Sequence, residues 1–390
     1  MKAFSMWMAC ATLLFATFVP SASAFAKTKG NADTETGKLK SAIVIEQDTG
    51  KILFKQNENK ELPPASMTKV MTLLLIFKAL ENHQISLKDK VNVSEHAASM
   101  GGSQVFLEPG ESMTVDEMLR AICIASANDA SVAMAEHISG SEKAFVAQMN
   151  KEAKKLGMTH THFVNPTGLP TDNHYTTAHD MAVMARALLM YPQVLHYTSK
   201  YEDYLRENTD KKFWLVNTNK LIKTYPGADG LKTGFTNQAK YCLTATAKRN
   251  GMRVVAVVMG APSPKERNKE IAGLMDHAFA AYVTKPLLDQ NKTVAMAKVN
   301  KGDHAQVPIV TQHPAVLLLK KGESTKGLKK SVKIDKSLQA PLKSGTVVGH
   351  FIVKKKGKVI AQTPLMVKDN VKRASWWQLF KRSAGTIMTH

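Results

Sequence analysis

Between residues 41 and 56 the apolar positions gather in two short β-branched runs parted by Asp48, Thr49 and Gly50, a pattern that predicts a β-hairpin. Apolar residues then recur every three or four positions over 67–82, 114–138 and 178–190, which predicts helices. Strand-like runs return at 241–248 and 252–258, where Asn250-Gly251 supplies the positive φ angles of a tight turn. Residues 272–283 read as a closing helix. Two β-rich ends around a helical middle predict one antiparallel sheet packed by helices, an α+β unit over residues 38–284.

Beyond Lys285-Pro286 the pattern changes to short β-branched runs at 306–310, 315–320, 346–353 and 358–367, and a small all-β domain over 287–368 is expected. Lys354-Lys355-Lys356-Gly357 marks a hairpin turn within it. Over 370–390, Trp376, Trp377, Phe380, Ala384 and Ile387 fall on one side at helical spacing. Lys372, Lys381 and Arg382 lie on the flanks or opposite side, and Arg373 interrupts the apolar face. This segment is expected to be an amphipathic helix lying in a membrane interface. At the other end, Lys2, an apolar run from Phe4 to Val19 and the small residues up to Ala26 have the layout of a signal peptide over 1–26. The run is shorter than the ~20 apolar residues of a membrane span. Export is the expectation.

The charge is unevenly placed. Residues 291–390 hold 20 Lys and Arg against 4 Asp and Glu, sixteen of the chain's net charge of +21, so the rest of the chain is nearly neutral. A basic end suits anionic lipid or another anionic polymer near a membrane, and export speaks against nucleic acid as a partner. Once the signal segment is removed, Cys123 and Cys242 remain, without metal-ligand spacing and among apolar residues. They read as buried thiols, with a disulfide left open for an oxidising compartment.

The chemistry centres on Ser66-Met67-Thr68-Lys69, which follows Pro63-Pro64 and opens a helical run. Positions i and i+3 share a helix face, so the Lys69 amine can sit beside the Ser66 hydroxyl. A serine hydroxyl is a poor nucleophile without a base, and lysine is a base only where burial or a nearby cation depresses its pKa. Ser126-Ala127-Asn128 follows sixty residues later, and then Lys232-Thr233-Gly234. His160, His162, His174, His179 and Asp180 invite a metal reading, but they form no metalloprotease helix motif and the serine machinery needs no cofactor. Asp229 reads as a turn residue.

The three motifs together resemble the penicillin-binding protein and serine β-lactamase superfamily. Residues 229–236, 126–130, 163–169 and 101–103 narrow the resemblance to the low-molecular-mass D-alanyl-D-alanine carboxypeptidases, over nearly the whole chain after residue 26. The resemblance implies a transpeptidase-like domain, a peptidoglycan stem peptide ending in D-Ala-D-Ala as substrate, β-lactams as covalent inhibitors, and a place at the outer face of the cytoplasmic membrane. It also implies Ser66 as nucleophile, Lys69 as general base and Ser126 as proton relay. Asn128 would contact the substrate's peptide chain. Lys232 and Thr233, within a motif closed by Gly234, would hold the terminal carboxylate with Arg267 nearby, and the N–H groups of Ser66 and Phe235 would form the oxyanion hole. Two positions depart from the family pattern: Ala127 stands where glycine is usual, and Lys240 where glycine often follows Gln-Ala.

A class A β-lactamase needs a glutamate to activate its deacylating water, and residues 159–180 contain none. Endopeptidase action on cross-links, or a non-enzymatic wall-binding role, are the alternatives. The second would be expected to have lost one of Ser66, Lys69, Ser126 or Lys232, all of which are present.

Overall fold

The computed structural model describes residues 38–335 and 337–379; the expected signal peptide over 1–26 lies outside the described residues. The expected hairpin is present as β1 (Ser41–Glu46) and β2 (Ile52–Gln56). Two small hairpins follow in the middle of the chain, β3 (Lys90–Asn92) with β4 (Ser112–Thr114) and β5 (Glu202–Leu205) with β6 (Phe213–Val216). The strands β7 (Ala228–Thr236), β8 (Lys240–Arg249) and β9 (Met252–Ala261) complete a five-stranded antiparallel sheet of order β2-β1-β9-β8-β7. β1 and β9 are buried on both faces, which is why they read as unbroken apolar runs. Their side chains alternate between two cores: Ile43, Ile45, Val255 and Val257 face the main helical cluster, while Ala42, Val44, Val254 and Ala256 face a second core.

The main core is covered by α1 (Lys69–Glu81), the short α2 (Glu95–Ala98), α3 (Val115–Arg120), α4 (Asn128–Ser139), α5 (Glu142–Lys155), α6 (Ala178–Leu188) and α7 (Val194–Thr198). α8 (Leu221–Thr224) is a single turn, and α9 (Pro264–Ala281) packs on the opposite sheet face. α9 begins eight residues before the expected closing helix. Pro264 opens it and the Ser263 hydroxyl accepts from the Glu266 N–H. It ends at Ala281 and β10 begins at Tyr282. The helical pattern over 114–138 is two helices: a wide turn over Ala121–Ala125 ends at Ser126, which is left-handed at φ +67°.

The second domain contains β10 (Tyr282–Leu288), β11 (Thr293–Asn300), β12 (Gln306–Thr311), β13 (Ala315–Lys320), β14 (Leu328–Ile334), β15 (Leu338–Gln339), β16 (Val347–Lys355) and β17 (Lys358–Val367). β10 pairs with β13, and the others form a sheet of order β14-β16-β17-β12-β11-β15. Its own core includes Val299, Ile309, Phe351, Val353 and Leu365, while Leu318 of β13 joins the core beneath α9. Residues 370–375, expected to begin the terminal helix, still belong to this domain: Val371 bridges Leu342 and Arg373 bridges Gly302. Helix starts at Trp376, where the Ser375 hydroxyl accepts from the Gln378 N–H. Residues 380–390 lie outside the described residues. Cys123 and Cys242 are free and buried.

Candidate active site

The Ser66 turn is built from the sequence around two prolines. A 3-10 turn spans Ala65–Thr68 and runs directly into α1, which places Lys69 one turn beyond Ser66. Lys69 Nζ lies 3.2 Å from Ser66 Oγ, 2.6 Å from Asn128 Oδ1 and 2.8 Å from the Thr167 carbonyl. Burial holds the Lys69 amine well below its ordinary pKa, and the nearby Lys232 charge adds to the effect while Asp129 opposes it.

Asn128 comes from the break between α3 and α4. Its side-chain N–H donates to the Gly101 carbonyl at 2.7 Å and its backbone N–H to the Ser103 carbonyl at 2.7 Å, so the 101–103 segment is tied to the site. Gly102 is needed there: at φ +80° an added Cβ would fall 2.8 Å from Asn128 Nδ2. Ser126 presents a buried hydroxyl with no hydrogen-bond partner among the described residues.

The third wall is β7, the edge strand of its sheet, which leaves one row of backbone groups unused by strand pairing. Lys232 is fully buried. Burial pulls its pKa down to about 7, Arg267 pushes the same way, and Cys123 opposes. The Thr233 hydroxyl donates to Thr218 Oγ at 2.7 Å. A Cβ on Gly234 would fall 2.8 Å from the Pro64 carbonyl, so only glycine lets β7 approach the Ser66 turn this closely. Phe235 is 49% exposed and stacks on Tyr241 at 4.3 Å. Arg267, buried at the start of α9, donates to Asn268 Oδ1. The structure joins Ser66, Lys69 and Asn128 by hydrogen bonds and brings Gly234 against the Ser66 turn, while Lys232 is near enough to depress Lys69, and Arg267 near enough to depress Lys232. Lys240 is exposed at the β7–β8 turn with φ +60°, opposite Thr236 and next to the Tyr241 on which Phe235 stacks.

Several residues that the sequence reading left without this role support the site. Asn165 Oδ1 accepts from the N–H groups of Thr167 and Gly168 and so fixes the turn that offers the Thr167 carbonyl to Lys69. His174 Nδ1 accepts from the Val164 N–H, which leaves Nε2–H to donate to the Thr68 hydroxyl at 2.9 Å. Thr68 in turn donates to the Ala65 carbonyl. Burial pushes His174 down to about 4, so the ring stays neutral and this tautomer holds. Asp229 lies within β7 rather than in the expected turn, and makes a two-pronged pair with Arg253 at 2.7 and 2.8 Å, well suited to a structural role. His160 meets Glu61, His162 the Asn173 carbonyl and His179 the Asp180 carboxylate. No group of three or more metal-ligating side chains is assembled among the described residues.

A serine hydroxyl beside a buried, depressed lysine, with a second buried lysine on the neighbouring strand, is the arrangement of a serine peptidase of the penicillin-binding class. Residues 27–263 match the D-alanyl-D-alanine carboxypeptidase family and residues 282–373 the C-terminal domain of penicillin-binding protein 5. The chain belongs to the D-alanyl-D-alanine carboxypeptidase family and is a carboxypeptidase of that kind. It is 54% identical to the D-alanyl-D-alanine carboxypeptidase DacF of Bacillus subtilis, with 96% of each chain covered. The solved penicillin-binding protein 5 of Haemophilus influenzae superposes with a TM-score of 0.68 at 32% identity, over 86% of this chain and 98% of that one. The ampicillin-bound penicillin-binding protein D2 of Listeria monocytogenes gives 0.56 at 33% identity, over 62% and 97%.

Proposed function

We propose that Ser66 is acylated by stem peptides ending in D-Ala-D-Ala, with Lys69 as its base. The observation that carries this is the hydrogen-bond arithmetic at Lys69. A neutral amine has two N–H bonds and one lone pair. Asn128 Oδ1 and the Thr167 carbonyl accept both N–H bonds, and the lone pair is left for the Ser66 hydroxyl. Ser66 Oγ then attacks the carbonyl of the penultimate D-alanine while its proton passes to Lys69. The N–H groups of Ser66 and Phe235 receive the oxyanion. On collapse the C–N bond breaks, Ser126 relays a proton to the leaving amine, and D-alanine departs. Water then hydrolyses the serine ester.

Lys232 and the Thr233 hydroxyl, backed by Arg267, hold the terminal carboxylate, and Asn128 meets the peptide chain. β-Lactams carry the same carboxylate beside a reactive amide and acylate Ser66 in its place. Residues 1–26 direct export, and the tail that starts at Trp376 rests on the outer face of the cytoplasmic membrane. Trp376 and Trp377 are both exposed. No helix among the described residues is long and apolar enough to cross a membrane.

The test compares the protein with Ser66→Ala, using a fluorescent penicillin and a peptide ending in Lys-D-Ala-D-Ala. Covalent labelling and D-alanine release are both expected, and both should vanish in the variant. Labelling that persists on Ser66→Ala would refute the assignment of the nucleophile. Labelling without release would favour cleavage of cross-links, to be checked with cross-linked dimer.

A further inference from the structure

β14, the β16–β17 hairpin and its turn carry seven lysines and no acidic residue. The strand register makes this more than a high count. Lys329 stands directly opposite Lys354 on the exposed side of the sheet, and Lys333 lies four positions along from Lys329 on the same side. Like charges directly opposite on one face destabilise a strand pair. Lys355, opposite Lys358 across the turn, is relieved by Glu323 at 2.9 Å. Lys329 and Lys354 have no ion-pair partner among the described residues. Beside Lys354, Val359 and Ile360 are exposed at 52% and 38%, so aliphatic surface adjoins the charge.

The position of this face selects its partner. The hairpin tip lies at the end of the domain that meets the catalytic domain: Lys355 Nζ also donates to the Ser324 carbonyl, in the loop where the Lys321 N–H donates to the Ala281 carbonyl at the end of α9. The tail leaves from the other end, past β11 and β15, where Arg373 bridges Gly302. Following the register from Lys358 through β17, β12 and β11 to Asn300 gives up to roughly 45 Å along the strands. A tail lying on lipid thus holds the lysine face away from that lipid.

We propose that the exposed face of β14 and the β16–β17 hairpin docks an anionic envelope polymer in which phosphodiesters alternate with short polyol units. The phosphates lie between Lys329 and Lys354 and towards Lys333, and the carbon units rest on Val359 and Ile360. Docking holds the catalytic domain against the polymer-bearing wall while the tail holds the membrane. The choice of polymer over lipid rests on the reading of the tail given above.

The test titrates the full-length protein against a long synthetic poly(glycerol phosphate) chain and, separately, against vesicles of phosphatidylglycerol and phosphatidylcholine. Lys329→Glu with Lys354→Glu is expected to weaken polymer binding at least about tenfold and to change vesicle binding by less than about twofold. The charge-matched pair Lys292→Glu with Lys298→Glu should leave polymer binding within about twofold, as expected of a localised surface. D-Alanine release from a soluble peptide, unchanged in both, reports an intact fold. Equal loss in the two pairs would mean attraction by net charge alone and would overturn the proposal. Loss of vesicle binding with polymer binding kept would overturn it too. If the unmodified protein ignores vesicles yet shows the expected polymer pattern, the tail reading fails and the docking surface stands.

Discussion

Two groups of lysines divide this molecule. In the catalytic domain Lys69 and Lys232 are stripped of water without a carboxylate partner, and their surroundings press them toward the neutral amine. In the β domain Lys329, Lys333 and Lys354 stand in solvent on one sheet face. In the proposed mechanism the same side chain serves as base and carboxylate sensor in one place, and it stands as an external charge in the other. Burial decides which, because removing water penalises the charged form and leaves a lone pair able to take a proton. A count of basic residues hides that division.

The sharpest way to break the comparison is Lys69→Arg. It keeps the positive charge and most of the length, but arginine does not give up its proton. If Lys69 acts as a neutral base, acylation by penicillin and D-alanine release should fall by roughly a thousandfold or more. The variant should unfold cooperatively, though with lowered stability, since a bulkier cation is forced between Asn128 and Thr167. Stopped-flow acylation rates decide the matter. A variant with more than about a tenth of normal activity would mean that Lys69 acts by charge rather than as a base.

Lys232 gives the next effect, on stability. Its folded-state pKa of about 7 lies below the 10.5 of an ordinary lysine. Between those values the unfolded chain holds a proton that the folded protein has shed, so this group makes stability rise with pH across that window. Below about 7 the folded protein holds an unpaired buried ammonium. Lys232→Met should therefore stabilise the protein at pH 6 by on the order of 2 kcal/mol, with the advantage shrinking as the pH approaches 10. The same change should raise KM for peptides with a free terminal carboxylate. Urea titrations at several pH values test the first expectation; a difference independent of pH would show that packing, not the buried charge, is responsible.

What was legible in the sequence was local. The Ser66–Lys69 spacing needs only one helical turn, and the β1–β2 and β8–β9 hairpins announce themselves by their turn residues. The pattern over 114–138 reads as one helix because its apolar spacing runs on through Ser126. The break there comes from contacts with a distant segment, the Asn128 N–H reaching the Ser103 carbonyl. Asn128 was expected to meet substrate, and its bond to Lys69 spans 59 residues that no local pattern connects. The Thr68–His174 link and the Thr167 carbonyl are likewise products of the fold. β14 escaped notice because lysines on both sides of the strand erase the alternation that marks a half-buried one.

The smallest effect probes the exposed lysines. Lys354→Glu turns the Lys329–Lys354 repulsion into an attraction across the two strands, with an expected gain of about 0.5 kcal/mol. It should appear as a higher urea midpoint at an unchanged slope, and it should fade at about 1 M salt, where screening removes the interaction. Lys329→Glu alone should give a similar gain, and the double change should cancel both, since two glutamates then face each other. That non-additivity separates a pair in contact from two independent surface charges. If the single variants gain stability while losing polymer affinity, then the two lysines are held in repulsion at a cost that a bound anion relieves. Such a result would place the β domain's charge alongside the catalytic domain's buried lysines, as a local strain kept for a ligand.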